Sequence, residues 1–540
     1  MTDPRIARAA EEAFGYDELR PGQEEAIQAL LDGRDTLAVL PTGSGKSAIY
    51  QVATLLRDAG PAIIVSPLIA LQRDQEQAMC DMGLSAAALH SALSAAERES
   101  VLAQLADGSL QFLLLAPEQF ADDSLVQDVA GAEPGLFVVD EAHCISSWGH
   151  DFRPDYLLLG AVLDALGHPP ALALTATASP LVREEIAERL GLRDPALILS
   201  GVGRPELHLA VERHHEEEHK LAALVEAVGE LGGPGIVYAA TRKATQDIAE
   251  RLRAAGHDAR AYHAGLGGKD RRQAEHDFLE GHLEVIVATS AFGMGIDKHD
   301  LRYVLHAHVP ESVDAYWQEV GRAGRDGLPA EARLLYRTED VGLRRFFAAG
   351  GVRLAELEQV VETVRLRDGR NLDTKALATA TGLTPHRTLL VVQRLADAGH
   401  WPPSEHVDGV VTRAVEAEER RREVERSRVE MMRTYAELRT CRRAFIEGYF
   451  GEEDPPPRCG NCDVCEAEAA GQPGAGEQPA GTAASGFAGG ARVRHPVWGE
   501  GTVQHGDPEK IVVAFDEHGY KTLSVEVLRA RGEEILARVA

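Results

Sequence analysis

The chain is poor in cysteine, in aromatic residues and in lysine, and each shortage narrows what it can be. Six cysteines in 540 residues are too few for a disulfide scaffold, and a chain of this length has room for three or four domains with cores of their own. No apolar run approaches the roughly 20 residues needed to cross a bilayer. The opening MTDPRIARAAEEAFGY is charged within its first five residues and has no apolar export segment. A soluble protein in a reducing compartment is expected, with thiols free or metal-bound. Positive charge is also scarce: Lys+Arg 56 against Asp+Glu 85 leaves a net charge of −29. That excludes a protein that coats nucleic acid with its whole surface, so any nucleic-acid contact must be a local groove. Only 8 of the basic residues are lysine, which with the abundant alanine and glycine reads as genomic base bias.

What the chain does have is alternation. From about Asp35 to Leu199, apolar runs (DTLAVL, PAIIVS, QFLLLA, GLFVVD, ALALT) alternate with helix-like stretches, as parallel strands covered on both faces do. A second set (GIVYAA, DARAYHAG, EVIVATS, RYVLHAH, ARLLYR) repeats the alternation. The expected fold is α/β, with two tandem doubly wound lobes at 1–205 and 206–346, joined near Gly201 to Glu217. Residues 347–410 carry three helical patterns with Gly382 at a turn and Thr384 as an N-cap, which suits a helix-turn-helix, a winged helix or a bare three-helix packing unit. Val411 to Arg443 reads as continuous helix with a solvated face of ten Arg and seven Glu, within a cysteine-bearing module at 411–466. Residues 467–490 are Ala/Gly-rich and read as a flexible linker. The period-two pattern of RVRHPVWGEGTV and EKIVVAFDEHGYKTLSVEVL predicts a small all-β barrel over 491–540.

The strand DTLAVL runs into PTGSGKS and then a helical pattern, the context of a phosphate-binding loop. Thr42, Gly43, Ser44 and Gly45 would close backbone amides on the phosphates of ATP. Lys46 would reach the β and γ phosphates, and Ser47 would hold Mg²⁺. Leu40 stands where the general pattern has its first glycine, which marks a shorter variant of the loop. Asp140 and Glu141 end the strand GLFVVD, where Asp140 suits Mg²⁺ and Glu141 a general base orienting water. His143 follows as a spacer or as a sensor of nucleotide. In QEVGRAGRDG, Arg322 and Arg325 are three apart; on a helix turn both could face one side as arginine fingers, with surface salt bridging as the alternative. Cys441, Cys459, Cys462 and Cys465 read as C-x17-C-x2-C-x2-C, the natural ligand set of tetrahedral Zn²⁺. Cys80 and Cys144 read as small core residues, and His214, His215 and His219, in RHHEEEHK, as a solvated segment between the lobes.

Together these elements resemble the RecQ family of superfamily 2 DNA helicases over nearly all of residues 10–346. The resemblance implies RecA-like lobes clamping MgATP and 3′ to 5′ movement on single-stranded DNA. It also implies unwinding of forked or branched duplexes in recombination and repair, and a place in the bacterial cytoplasm and nucleoid. FGYDELRPGQEEAI resembles the family's adenine-reading motif, implying Gln23 on the adenine edge with Tyr16 and Arg20 packed on the ring. DEAHCISSWGHDFRPDY resembles its aromatic-rich loop, implying that Trp148, His150, Phe152 and Arg153 sense single-stranded DNA. LTATAS implies Thr175 and Thr177 in coupling between lobes, and CRRAFIEGYFGE with CGNCDVC resembles the family's zinc module. The winged helix and helical domain that usually follow that module are missing after Cys465. An RNA helicase of the same superfamily is the first rival, opposed by the aromatic loop and zinc module. A nonenzymatic DNA-binding scaffold is the second, opposed by intact Lys46, Asp140, Glu141 and Arg325. The last fifty residues resemble the Tudor-like barrel of UvrD and PcrA type repair helicases, with Gly499 and Gly501 at tight turns. This implies docking on RNA polymerase, against the alternative of a stabilising appendage.

Overall fold

The computed structural model describes residues 3–41, 43–57, 59–90, 92–146, 153–293, 298–349, 352–366, 374–397, 407–452, 455–471, 487, 491–506, 510–515, 518–531 and 535–539. They form two compact units: Met1–Arg337 with Tyr435–Gln478, and Thr338–Thr434 with Pro479–Ala540. Among the described residues no helix is long and apolar enough to cross a membrane.

The first unit holds two parallel sheets. One runs in the order Ala86–Leu89, Phe112–Leu115, Ala62–Val65, Leu136–Val139, Ala171–Thr175, Thr36–Val39, Ala196–Leu199. Its central strands are buried along their whole length because helices cover both faces, so their sequences are continuous apolar runs and not alternating ones. Two strands escaped the sequence reading. Ala86–Leu89 is nearly all alanine, and Ala196–Leu199 is an edge strand with residues exposed; neither has the β-branched density that marks a strand. Three adjacent strands, Leu136–Val139, Ala171–Thr175 and Thr36–Val39, run parallel and so deliver Asp140, Thr175 and the phosphate loop to one edge.

The second sheet runs Ala259–Tyr262, Val285–Ala288, Gly235–Tyr238, Tyr303–His306, Ala330–Tyr336, Leu207–Arg213. At Gly235 a Cβ would lie 2.0 Å from the Tyr303 ring, so this strand passes its neighbour only because the position has no side chain. The segment expected to join the lobes is instead the outer strand of this sheet, paired with Ala330–Tyr336 over seven residues. His214 accordingly belongs to the lobe: its amide donates to Tyr336 O at 2.9 Å, and its ring is largely covered beside Glu212. Only His215 and His219 are exposed as expected. Cys144 is in the core, whereas Cys80 is exposed, its thiol turned to Ala86 O.

The helix read as Val411 to Arg443 is two helices, Val407–Ala436 and Arg442–Tyr449. Cys441 stands at the N-cap of the second, just outside its first helical residue. Asp463–Ala469 is a further helix, so the first residues assigned to the linker are ordered.

In the second unit, Leu354–Arg365, Thr374–Thr381 and Pro385–Asp397 pack with the start of the long helix around Leu357, Val360, Val361, Val364, Leu377, Val391 and Leu395. No strand accompanies these helices among the described residues. The C-terminal strands form an antiparallel sheet ordered Gly519–Ser524, Lys510–Phe515, Gly499–Gly506, Arg492–His495, Ala537–Arg538. The segment after Ser524, read as strand, is the helix Val525–Arg531, which turns Val525 and Leu528 together into the sheet's core. Glu423 of the long helix accepts hydrogen bonds from His518 Nδ1 (3.1 Å) and Lys521 Nζ (2.5 Å) of the sheet.

Candidate ATP site and zinc module

The phosphate loop leaves Val39, with Gly43 and Gly45 at φ +77° and +70°, conformations that L side chains rarely adopt. Gln23, itself buried, fastens the loop: Nε2 donates to Ser44 O and Gly45 O, both at 2.8 Å, while Oε1 accepts from the Arg20 amide at 2.7 Å. The Arg20 guanidinium adds a bond to Gly43 O. Tyr16 stacks on Phe14 with ring centroids 5.7 Å apart. Gln23 and Arg20, two of the three residues assigned to adenine, thus bond the loop directly, and both hydrogens of the Gln23 amide are spent on the loop's own carbonyls. Lys46 Nζ lies 3.5 Å from Leu40 O, a long contact. Thr42 lies outside the described residues.

Asp140 is 7% exposed and Glu141 follows it in the left-handed region, φ 49° and ψ 45°. A non-glycine residue there costs on the order of 1 kcal/mol and tends to mark a functional site. Burial and the adjacent Glu141 raise the Asp140 carboxyl from 3.8 to about 6, with Lys46 pulling the other way. Tyr156 OH donates to Asp140 O at 3.0 Å. His143 links the carboxylates to the neighbouring strand: Nδ1 lies 2.9 Å from Thr175 Oγ1 and 3.3 Å from a Glu141 oxygen. Thr175 Oγ1 also donates to Thr177 O at 3.0 Å. Arg153 donates to Pro67 O at 2.9 Å. Trp148, His150 and Phe152 lie outside the described residues.

Arg322 and Arg325 do not share a helix turn. The helix Val313–Val320 ends before Gly321, and the following residues are turns. Arg322 is buried and donates to Gly293 O within its own lobe. Arg325 reaches the other lobe: a Cβ on Gly43 would lie 3.7 Å from Arg325 Cγ. The arginine loop of the second lobe therefore touches the phosphate loop of the first.

The four cysteines converge, with the Sγ atoms of Cys441, Cys459, Cys462 and Cys465 all within 4.8 Å of one another. Zn–S bonds of about 2.3 Å in a tetrahedron need sulfurs about 3.8 Å apart, so four thiolates here fit Zn²⁺. Hydrogen bonds from the Cys441 and Cys462 thiols pull Cys459 down to about 3, the thiolate form a metal requires. Sequence reasoning missed the residues that fix this module to the second lobe. Arg442 bonds Asp463, whose Oδ2 accepts the Val211 amide at 2.9 Å, and Cys462 bridges Leu209. The module thereby covers the free edge of the outer strand Leu207–Arg213.

Two parallel-sheet lobes, with a phosphate loop and paired carboxylates in one and an arginine loop of the other beside the phosphate loop, define a two-lobed P-loop nucleotide engine. Family models agree: the DEAD/DEAH box helicase model matches residues 20–185, the helicase conserved C-terminal domain 219–327, and the RecQ zinc-binding model 404–466. The chain is 40% identical over 383 residues to a probable ATP-dependent DNA helicase RecS of Bacillus subtilis, covering 70% of this chain and 77% of the relative. It is 36% identical over 482 residues to the ATP-dependent DNA helicase RecQ of Synechocystis, covering 85% and 98%. With RecQ of Pasteurella multocida it shares 34% identity over 84% of this chain, but it spans only 61% of that relative. The chain belongs to the RecQ family.

Two outcomes follow from this geometry. In the ligand-free protein Asp140 holds its proton more tightly folded than unfolded, so the stability it contributes is present below pH 3.8 and is lost as pH rises towards about 6. The loss is about 3 kcal/mol at 1.36 kcal/mol per pKa unit. Asp140→Asn is expected to raise the melting temperature at pH 7.5 and leave it unchanged at pH 4; a difference independent of pH refutes the assignment. Metal analysis of reduced protein is expected to find about one zinc per chain. Because structural zinc supplies on the order of 10 kcal/mol of folding free energy, Cys462→Ser should aggregate or lose the module, and zinc-free wild type that is fully folded would overturn the reading.

Proposed function

We propose that the chain is an ATP-dependent DNA helicase of the RecQ type that moves 3′ to 5′ on single-stranded DNA and separates forked or branched duplexes in recombination and repair. The observation that supports this reading is the nearness of the arginine loop to the phosphate loop, with Arg325 Cγ 3.7 Å from where a Cβ on Gly43 would stand; in this reading the Arg325 cation meets the charge that develops on nucleotide bound to the other lobe. Lys46 holds the β and γ phosphates. Ser47 and Asp140 hold Mg²⁺, which supplies neutralisation of phosphate charge when bound. Glu141 takes the proton of the attacking water, held by its strained backbone over the site. Arg325 and Arg322 stabilise the leaving charge, a role worth about 10³ to 10⁵ in rate. Gln23 exchanges one of its loop carbonyls for the adenine edge, so arrival of the base and release of the loop are one event. His143, Thr175 and Thr177 form a continuous hydrogen-bonded line from Glu141 to the neighbouring strand, which supports a role for them in passing nucleotide state towards the partner lobe. The aromatic segment at Trp148 is assigned to sensing DNA from its sequence.

ATP hydrolysis and strand separation on single-stranded DNA, forked duplex, Holliday junction and RNA test this reading together. Lys46→Ala should abolish hydrolysis with the fold kept, Glu141→Gln should retain nucleotide affinity without turnover, and Trp148→Ala should keep basal hydrolysis but lose stimulation by DNA. Hydrolysis by Lys46→Ala at the native rate refutes the site, and stimulation by RNA equal to that by DNA favours the RNA-helicase rival.

The C-terminal sheet is proposed to dock a protein partner, RNA polymerase. What supports this is the resemblance of its first hairpin; His495, Trp498 and Phe515 pack together as part of the sheet's own core. A chain ending at Gly471 should unwind DNA normally and fail to retain polymerase in a pull-down; impaired unwinding with no polymerase retained by the full chain would make the sheet a DNA-handling element.

A further inference from the structure

The helix Val313–Val320 ends just before the arginine loop, and the last carbonyls of a helix have no partner within it. Two loop carbonyls, Gly321 O and Ala323 O, flank Arg322. Both are taken by one side chain from elsewhere in the sequence: Arg204 Nη1 donates to Gly321 O at 2.8 Å and Nη2 to Ala323 O at 2.7 Å. Arg204 is 7% exposed, and its Nε faces the Glu206 carboxylate. A planar guanidinium suits this task because its rigid fork presents donors from two separate nitrogens, whereas an ammonium offers three rotatable donors from a single one.

Arg204 is in turn held by the zinc module. Arg443, also buried, donates Nη1 to Arg204 O and Nη2 to Leu207 O, both at 2.6 Å. Asn461 Nδ2 donates to Pro205 O at 2.8 Å and Leu207 O at 3.1 Å. Arg443 follows ligand Cys441 by two residues, and Asn461 immediately precedes ligand Cys462. A second set of contacts grips the helix leading into the loop: Tyr449 OH bonds the Asp314 carboxylate, and Tyr316 OH lies 3.0 Å from Tyr435 OH.

We infer that Arg204 is a positioning residue for ATP hydrolysis: it fixes the backbone on both sides of Arg322, and hence the placement of Arg325 against the phosphate loop, from a segment clamped by the zinc module. The inference rests on the reading that Arg325 acts on nucleotide. Arg204 touches no substrate, so its loss should act at the hydrolysis step and leave binding alone.

The test uses the full zinc-loaded chain as wild type, Arg204→Ala, Arg325→Ala and the double variant, measuring DNA-stimulated kcat, KM for ATP, affinity for a fluorescent ADP analogue, and zinc content. Arg204→Ala is expected to lower kcat about tenfold to a hundredfold, as a misplacement of about 1 Å does, with KM, ADP affinity and zinc within about twofold of native. In the double variant the loss should equal that of Arg325→Ala alone, because both changes remove one interaction. Native kcat in folded Arg204→Ala, or losses that multiply in the double variant, would overturn the inference. If Arg204→Ala does not fold, Arg204→Lys takes its place in the same cycle. Its single nitrogen does not reproduce the two-nitrogen fork, and the variant should lose at least about threefold in kcat without multiplying; native kcat in it overturns the inference. Native kcat in Arg325→Ala alone would refute the arginine-loop reading itself, and the role of Arg204 with it.

Discussion

A carboxylate buried beside another carboxylate is the constraint on which the first lobe depends. Asp140 and Glu141 are adjacent in sequence, and like charges so close cannot both shed water cheaply. The fold holds them at the end of a central strand, with the Lys46 charge opposing the rise in the Asp140 carboxyl, the Tyr156 hydroxyl on the Asp140 carbonyl, and Glu141 in a left-handed backbone conformation. Each of these depends on parallel strands ending at the same edge. In an antiparallel sheet of this order the strand between them, Ala171–Thr175, would run the other way and carry Thr175 to the opposite end.

Much of this was legible in the sequence because the chemistry is local. A phosphate loop needs its glycines, lysine and serine in one run, a strand must precede it, and a thiolate cage needs paired cysteines at short spacing; both motifs are nearly self-describing. The two-lobed α/β fold was readable for a related reason, since strands buried on both faces are apolar throughout and stand out against the helices between them.

What was not legible was set by distance or by neighbours. The strand Leu207–Arg213 looks like a charged connector, because one of its edges meets Ala330–Tyr336 and the other meets the zinc module far along the chain. Spacing alone suggested a shared helix face for Arg322 and Arg325, and the glycines at 321 and 324 ended the helix instead. The true partner of the loop, Arg204, and the Arg443 that holds it carry no motif, being ordinary arginines until the fold brings carbonyls to them. The Val525–Arg531 helix likewise had the composition of a strand and took its form from the need to turn two apolar side chains into one core.

The module that covers the outer strand of the second sheet comes from far downstream: the bond from the Val211 amide to Asp463 spans 252 residues. During synthesis at roughly 5 to 20 residues per second, Asp463 follows the outer strand out of the ribosome about 13 to 50 s later, and until then the edge cannot be closed. For that interval the nascent chain presents an open strand with hydrogen-bonding groups unclaimed, the kind of template on which chains pair wrongly. Metal supply and translation speed thereby become conditions of correct folding, well before any nucleotide is bound.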